Sequence, residues 1–267
     1  MKNIGSYQIV EKLEQAATYT LYVGQDAQRT AMIRLSNTPE WNEQVMAKGA
    51  ALASVRHPAV VEIYEQGTQR ENAGTLAYFA AEWVEGEVLA ELMERHGEIP
   101  LKEKLELLIK LCEGVHALNG AGHVCLCTPD DVKVKDGAVK ITDVHAKLPQ
   151  FLHTSARVIQ KGMKRIPFWS PEVISGTKDR DRREDVFALG LLTYVFVSGQ
   201  DPYKAVNPIE RAQKVLNEMA PPLCGVATDC PAALEATVKK SLKKDRELRQ
   251  QTVREFGAEL RLAAVNL

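Results

Sequence analysis

The feature that most constrains the fold is one change of hydrophobic pattern along the chain. Up to about residue 82, apolar residues cluster in short segments rich in β-branched and aromatic side chains, which is typical of β-strands. From Val84 onward they recur at three- and four-residue spacing, as on one face of an α-helix. We therefore predict an α+β fold, in which a strand-rich lobe of residues 1–84 precedes a mainly helical lobe of residues 85–267.

The first lobe is expected to contain one antiparallel sheet of five strands and one helix. The helix is predicted from Pro39 to about Val55, because the residue before Pro58 avoids the helical region. The predicted strands cover residues 7–13, 20–25, 30–35, 61–66 and 75–82, with an exposed polar segment at 68–74.

The second lobe begins with a clear amphipathic helix at Leu101–Leu118, whose apolar residues share one face. Asp136-Gly137 then predicts a hairpin turn between strands at 132–135 and 139–142. A long irregular stretch at 143–172 follows, and such stretches are often functional. Four further helices are predicted near residues 185–198, 209–219, 232–242 and 252–264.

Composition excludes several classes of protein. The 267 residues include 45% hydrophobic and 26% charged residues, ordinary values for a globular chain with a large core. A net charge of −1 argues against an overall basic nucleic-acid binder. The longest apolar stretch, Val186–Val197, would span about 18 Å as a helix, well short of a bilayer core of about 30 Å. We therefore expect no nucleic-acid partner and no membrane insertion by this segment.

The five cysteines predict a location. An odd number of cysteines without a signal segment indicates reduced thiols in the cytoplasm. The chain could equally be the cytoplasmic part of a larger or membrane-associated protein, and the sequence does not choose between these alternatives.

Six motifs in fixed order carry a resemblance to a known family. They are Val55-Arg56-His57-Pro58, Pro129-Asp130-Asp131-Val132, Val139-Lys140-Ile141-Thr142-Asp143, Pro167-Phe168-Trp169-Ser170-Pro171-Glu172, Asp185-Val186-Phe187-Ala188-Leu189-Gly190 and Gly199-Gln200-Asp201-Pro202-Tyr203. In this order and spacing they resemble the protein kinase family, above all bacterial Ser/Thr kinases of the eukaryotic type. The resemblance implies a single two-lobed kinase-like domain over residues 1–267.

Two structural roles follow from the resemblance. Glu172 is expected to pair with Arg249 in a buried, bidentate contact. Asp185 is expected to hold the backbone of the catalytic loop. These side chains support the family fold rather than its chemistry.

The catalytic loop departs from the family pattern. Depending on the alignment, Val124-Cys125-Leu126 or Cys125-Leu126-Cys127 replaces the family's His-Arg-Asp motif. Neither alignment supplies a carboxylate, and loss of a general base typically lowers a rate by about 10²- to 10⁴-fold. We therefore predict no catalytic residue in this loop.

The nucleotide site departs as well. Glu14, Ala16 and Tyr19 stand at the family's three phosphate-loop glycines, where side chains block close backbone approach. That segment is expected to form an ordinary β-hairpin. Met32 and Leu21 are predicted to fill the adenine pocket, although a plain core methionine is compatible with the same pattern.

Three ligand candidates survive the comparison with the family. Arg34 replaces the family's lysine on the third strand, Asp131 its asparagine and Asp143 its metal-binding aspartate. Lys48 falls where the family has a glutamate, so two cations would face each other. The alternative is a solvated surface position for Arg34 and Lys48, with Arg34 paired to Asp143.

We therefore predict a pseudokinase: a catalytically inactive domain, not an enzyme, with no cofactor and doubtful ATP and magnesium binding. It would act as a regulatory or scaffold module for a protein partner. The alternative is an atypical ATP- and magnesium-dependent phosphotransferase, or a nucleotide-binding switch, that uses Arg34, Asp131 and Asp143.

Two weaker alternatives concern other residues. His123, Cys125, Cys127 and His145 could suggest zinc or a redox thiol, but their spacing is not a common zinc pattern, so we predict no metal site. The basic segment Arg157–Arg165 could bind an acidic partner or form a solvated loop.

Overall fold

A computed structural model describes residues 3–72, 74–144, 168–265 and 267. Strands dominate up to residue 82 and helices dominate afterwards, as the change of hydrophobic pattern predicts. The predicted α+β, two-lobed fold is thus confirmed. The expected role of Arg157–Arg165 and the position of His145 lie outside the described residues.

The first lobe contains one antiparallel sheet in the order β1-β2-β3-β4-β6-β5. The five predicted strands are present, together with a sixth that the sequence analysis missed, a two-residue strand pairing Ile4 with Tyr7. Its strands are β1 (Asn3–Ile4), β2 (Tyr7–Gln15), β3 (Tyr19–Gln25), β4 (Thr30–Ser36), β5 (Ile63–Glu71) and β6 (Gly74–Glu82). The segment predicted to be an exposed connection, 68–74, therefore mostly continues β5.

One helix covers the inner face of this sheet. It is α1 (Asn42–Ala53), and a short 3-10 turn at Pro39–Trp41 precedes it, which shortens the predicted helix at both ends. Close packing against β6 requires Gly49, because a Cβ there would lie about 3.1 Å from the Phe79 side chain. The same face of α1 buries Lys48 and turns it towards the second lobe.

The second lobe is mainly helical. It consists of β7 (Glu87–Val88), α2 (Leu89–Glu94), α3 (Leu101–Gly120), β8 (Val132–Lys135), β9 (Ala138–Ile141), α4 (Pro171–Ile174), α5 (Arg183–Ser198), α6 (Pro208–Asn217), α7 (Ala232–Ser241) and α8 (Val253–Ala264). The predicted hairpin joins β8 to β9, and both Asp136 (φ 49°) and Gly137 (φ 72°) take the left-handed conformation of a type I′ turn. This hairpin ends beside Asp143 and so positions the cleft.

The cysteines correct one prediction. Cys224 and Cys230 are joined by a disulfide, so the prediction of reduced thiols is wrong for this pair. Cys112, Cys125 and Cys127 are reduced and buried. In the described part of the chain, every helix is too short or too polar to cross a bilayer.

Lys244 is a partly buried cation in the helical lobe. Its Nζ donates hydrogen bonds to Val215 O (2.6 Å) and Tyr203 Oη (3.0 Å) and lies 4.3 Å from the centre of the Tyr203 ring. Burial, with a smaller contribution from the neighbouring Arg249, lowers the pKa of Lys244 to about 8. Folding therefore favours the neutral amine.

This pKa predicts a pH dependence of stability. Between pH 8 and 10.5 the unfolded chain binds one more proton at Lys244 than the folded chain does, so stability should rise with pH across that window. Thermal unfolding of the Lys244→Gln variant should lack this rise, whereas Lys239→Gln, an exposed control on α7, should retain it. Parallel pH profiles of the two variants would contradict the assignment.

Candidate functional site

Asp143 lies at the bottom of the cleft between the lobes and binds two cations. Arg34 Nη1 lies 2.5 Å and Lys48 Nζ 2.6 Å from the same atom, Asp143 Oδ2. Arg34, Lys48 and Asp143 are 4%, 6% and 5% exposed, so a solvated surface position for the two cations is wrong. The pairing of Arg34 with Asp143, part of the same alternative, is present.

Different elements bring these three side chains together. Arg34 projects from the centre of β4, and Lys48 from the buried face of α1. Asp143 lies two residues beyond the end of β9, and its Oδ1 accepts a hydrogen bond from Val144 N (2.8 Å). Lys48 was predicted to lie opposite Arg34, but the sharing of one carboxylate oxygen by the two side chains was not predicted.

An aromatic side chain covers the Arg34 guanidinium. The Tyr19 ring centre lies 4.0 Å from Arg34 Cζ, a cation–π distance, and Phe79 lies farther away at 5.7 Å. Burial raises the pKa of Tyr19 to about 12. Burial by itself would lower the pKa of Arg34, but Asp143 and Tyr19 raise it overall. The guanidinium therefore remains charged beneath the ring.

One nitrogen of Arg34 could still donate a hydrogen bond to a ligand. Arg34 Nε is buried and has no hydrogen-bond partner within the described ranges. A buried N–H without an acceptor is costly, and such an atom often lies where a water molecule or a ligand binds. An anionic oxygen entering the cleft could satisfy it.

The phosphate-loop segment is a β-hairpin, as expected. Ala16 N donates to Tyr19 O (3.0 Å), and Asn37 Nδ2 donates to Ala16 O (2.7 Å), which fixes the turn between β2 and β3. The turn therefore contacts the chain that follows β4, while Tyr19, the first residue of β3, faces Arg34.

The expected adenine side of the cleft is apolar. Met32 is 8% exposed and belongs to the main hydrophobic core, and Leu21 packs against that core while half-buried. Leu21 lies on β3 and Met32 on β4. These strands pair with Leu21 opposite Arg34 and Val23 opposite Met32. That Met32 and Leu21 fill an adenine pocket stays a prediction.

The catalytic loop is anchored by Asp185, as the resemblance implies. Asp185 is fully buried; its Oδ1 accepts from Leu126 N (2.6 Å), and its Oδ2 accepts from Cys125 N (3.0 Å) and Asn119 Nδ2 (2.7 Å). Leu126 has a φ of 47°, so the chain reverses direction there. The predicted structural role of Asp185 matches these contacts.

The reversal brings the buried Cys127 next to Asp143. Its Sγ lies 4.0 Å from Asp143 O, which favours the alignment in which Cys125-Leu126-Cys127 replaces the family's three catalytic-loop residues. The hydrogen bond with Cys127, together with burial, raises the pKa of the Cys125 thiol. At Cys127 the hydrogen bond with Cys125 lowers the pKa, but burial and nearby carboxylates raise it overall. Both thiols therefore stay protonated. Val124 is half-buried, and no carboxylate occurs from Val124 to Cys127.

Asp131 is the second carboxylate of the cleft. Its Oδ2 accepts from Thr128 N (2.8 Å) and Thr128 Oγ1 (2.7 Å), and its backbone oxygen accepts from Thr142 N (2.7 Å). These contacts hold Asp131, 8% exposed, next to the strand end that carries Asp143. Two hard-oxygen groups of this kind are the ligands that magnesium prefers.

The described residues of the zinc alternative have other partners, and its fourth member, His145, lies outside the described part of the chain. His123 Nε2 lies 3.1 Å from Ser54 Oγ, and the reduced thiols of Cys125 and Cys127 form a hydrogen bond with each other. The described residues contain a metal-compatible cluster of His, Cys, Asp or Glu elsewhere, at Cys224, Cys230 and Glu235. Sequence spacing missed that cluster because its members come together only through a reversal of the chain.

The Glu172–Arg249 pair has the predicted geometry. Arg249 Nη2 lies 2.7 Å from Glu172 Oε1 and Nη1 lies 3.1 Å from Glu172 Oε2, a bidentate contact. Arg249 also donates to the backbone oxygens of Arg183, Lys243 and Lys244. The contact thereby joins α4, α5 and the segment before α8.

Known proteins resemble this chain over most of its length. The family "Protein tyrosine and serine/threonine kinase" matches residues 15–256. A probable serine/threonine-protein kinase of Clostridium perfringens is 27% identical over 82% of this chain and 32% of its own length. PknB of Mycobacterium leprae is 27% identical over 85% and 36%, and a probable PknB of Corynebacterium glutamicum is 27% identical over 92% and 39%. The chain thus spans about a third of these curated relatives.

These matches contradict three predictions. The relatives are named as serine/threonine-protein kinases, so the predicted pseudokinase function and the predicted absence of enzymatic activity are wrong. The predicted absence of a cofactor is also wrong, since kinases of this family use ATP and magnesium. Missing motif residues misled the prediction because phosphoryl transfer depends mainly on positioning and electrostatics, which other side chains can supply.

The order of the motifs, the two-lobed fold and a family match over residues 15–256 agree with one another. The chain belongs to the protein kinase family.

Proposed function

We propose that this chain is an atypical ATP- and magnesium-dependent phosphotransferase that transfers phosphate to a hydroxyl group of a protein. The observation that carries the proposal is the convergence of two buried cations and a carboxylate at Arg34, Lys48 and Asp143, with Asp131 nearby. Cations for a triphosphate and hard oxygens for magnesium are the groups that phosphoryl transfer requires.

The residues of the cleft fit such a ligand. Arg34 offers a buried Nε–H without a partner in the described ranges, and its planar guanidinium suits phosphate oxygens. Lys48 adds a second cation within 2.6 Å of the same carboxylate. When bound, magnesium ATP would supply the transferable phosphoryl group. It would also supply a magnesium ion, which the carboxylates of Asp143 and Asp131 could hold.

Entry of the ligand must rearrange Asp143. Its Oδ2 now serves two cations, so a metal would compete with both for one carboxylate. Arg34 and Lys48 could then turn towards the phosphates. No carboxylate occurs from Val124 to Cys127. The acceptor hydroxyl would therefore lose its proton without help from a general base in this loop. The lack of such a base lowers the rate by about 10²- to 10⁴-fold.

The same contacts favour a second candidate, a nucleotide-binding switch. Asp143 bonds to β4 and α1 of the first lobe while belonging to the second, so a ligand that displaces these contacts would change how the lobes are held. Binding without transfer would support this candidate over the enzyme.

Two measurements on the purified chain test the proposal. We expect magnesium ATP to raise the melting temperature, since a ligand at 100 times its Kd adds about 2.7 kcal/mol. We also expect labelled phosphate to pass slowly from ATP to a protein acceptor. Asp143→Asn should abolish both effects, whereas Asp136→Asn, a control in the left-handed hairpin turn, should retain them. Absence of both effects in the unsubstituted chain would contradict the enzyme and the switch together.

The remaining expectations are part of the same proposal. Residues 1–267 would act as one domain with lobes at 1–84 and 85–267, and the matched family segment, 15–256, supports this. We propose the cytoplasm as the compartment, because ATP is available there, and a protein as the partner. The matches do not identify that partner.

A further inference from the structure

A cluster of potential metal ligands lies far from the cleft in sequence, between α6 and α7. Cys224 and Cys230 are joined there as a disulfide with Cα atoms 5.1 Å apart. Glu235, in the first turn of α7, adds a carboxylate, and the three ligand atoms all lie within 4.8 Å of one another. Cys224 is exposed, while Cys230 and Glu235 are half-buried, so the cluster is open to solvent.

The local backbone explains how the sulfurs of two cysteines that are separated by five residues come together. Zinc sites usually space paired cysteines by two to four residues. Here Asp229 has a φ of 53°, in the left-handed region, and reverses the chain directly before Cys230. Glu235 Oε2 accepts a hydrogen bond from Cys224 N (2.7 Å), which fixes the carboxylate beside the first sulfur.

Oxygen atoms surround the sulfurs. Cys224 Sγ lies 3.2 Å from Cys230 O and 3.8 Å from Pro231 O, and Cys230 Sγ lies 3.8 Å from Pro231 O. Reduction gives two thiols. Once these lose their protons, two thiolates among carboxylate and carbonyl oxygens repel one another unless a cation lies between them. A cation that accepts both sulfur and oxygen ligands relieves this repulsion, and zinc is such a cation.

We propose that the reduced form of this chain binds one Zn²⁺ through Cys224 Sγ, Cys230 Sγ and a Glu235 carboxylate oxygen. A water molecule would complete four-coordinate geometry, as in sites with three protein ligands. The disulfide form holds no such site, because its sulfurs are bonded to each other. The proposal does not depend on the activity of the cleft.

The chemistry balances in two steps. A water-soluble phosphine reduces the disulfide: the S–S bond breaks, the phosphine becomes a phosphine oxide with oxygen from water, and the two water protons go to the sulfurs. Zn²⁺ then forms two Zn–S bonds and releases both protons, so binding should be stronger at higher pH. No other oxidant or reductant is needed.

The test is metal binding by the reduced chain. After phosphine treatment and removal of endogenous metal, we expect one zinc per chain by competition with a chromophoric chelator. Cobalt in place of zinc should give the intense absorption of cobalt–thiolate charge transfer. Zinc should also raise the melting temperature of the reduced chain and leave that of the disulfide form unchanged.

Three variants separate the ligands from their neighbours. Cys224→Ser and Cys230→Ser should each lose the cobalt–thiolate band in part and weaken zinc binding by at least tenfold. Glu235→Gln should weaken zinc binding while keeping the band, whereas Asp229→Asn, an exposed carboxylate in the same loop, should bind zinc like the unsubstituted chain. Asparagine tolerates the left-handed backbone there, which makes it a matched control.

Three outcomes would overturn the proposal. One is a reduced chain that takes up no zinc and shows no cobalt–thiolate absorption. Another is unchanged, stoichiometric zinc binding in a Cys224→Ser, Cys230→Ser double variant, which would place the metal elsewhere. If Glu235→Gln and Asp229→Asn bind zinc equally, Glu235 is not a ligand and the three-residue site is refuted.

Discussion

Replacing Arg249 with alanine is expected to lower the free energy of unfolding by about 3–5 kcal/mol, the usual result of breaking a buried ion pair from one side. The Arg249 side chain is fully buried, and the Glu172 side chain is 11% exposed. The variant would leave that carboxylate without its two hydrogen bonds. It would also remove the donors to three backbone oxygens, of Arg183, Lys243 and Lys244. Urea denaturation of the purified chain measures this loss directly.

An exposed ion pair on the same lobe provides the control. Arg261 Nη2 lies 2.8 Å from Glu113 Oε1, but these side chains are 59% and 51% exposed. Arg261→Ala should therefore cost about 1 kcal/mol or less, as for surface pairs in general. Equal losses in the two variants would show that the Glu172–Arg249 contact contributes no more than a surface pair. Arg249→Lys should keep the charge but lose the bidentate geometry, and should fall between the two.

The contacts within the second lobe show what the sequence could predict. Asp136-Gly137 specifies its turn through local backbone preferences alone, so the hairpin was predicted correctly. Glu172, Asp185 and Arg249 were assigned through motif order, and their observed hydrogen bonds match those assignments. Local chemistry and motif order thus carry most of the fold.

The missed features depend on distances that sequence patterns do not contain. The two-residue strand β1 is too short to show alternation, and it exists only because Ile4 pairs with Tyr7. The Cys224–Cys230 bond needs the reversal at Asp229, a conformation no composition rule would assign there. Whether Lys48 meets Arg34 or Asp143 depends on the rotation of α1 over the sheet, which is set by packing around Gly49. Tertiary packing, rather than propensity, decides each of these.

The cleft offers the prediction with the largest effect on function. Asp143→Ala should lower phosphoryl transfer about 10³-fold, equivalent to about 4 kcal/mol, if its carboxylate holds the metal. The same substitution should lower the free energy of unfolding by about 3–5 kcal/mol, because Arg34 and Lys48 would lose their shared counterion while still buried. Labelled-phosphate transfer and urea denaturation measure the two effects separately.

A second substitution separates the loss of a metal ligand from the repulsion between cations. Lys48→Met in the Asp143→Ala background removes one of the two uncompensated charges, so the double variant should recover about 1–3 kcal/mol of stability as a coupling energy. Lys48→Met alone leaves the Arg34–Asp143 pair intact and serves as the control. Transfer should stay low in the double variant, because the metal ligand is still missing. If the second substitution restores no stability, the two cations do not repel each other. If transfer survives in every Asp143 variant, that carboxylate is not the metal ligand.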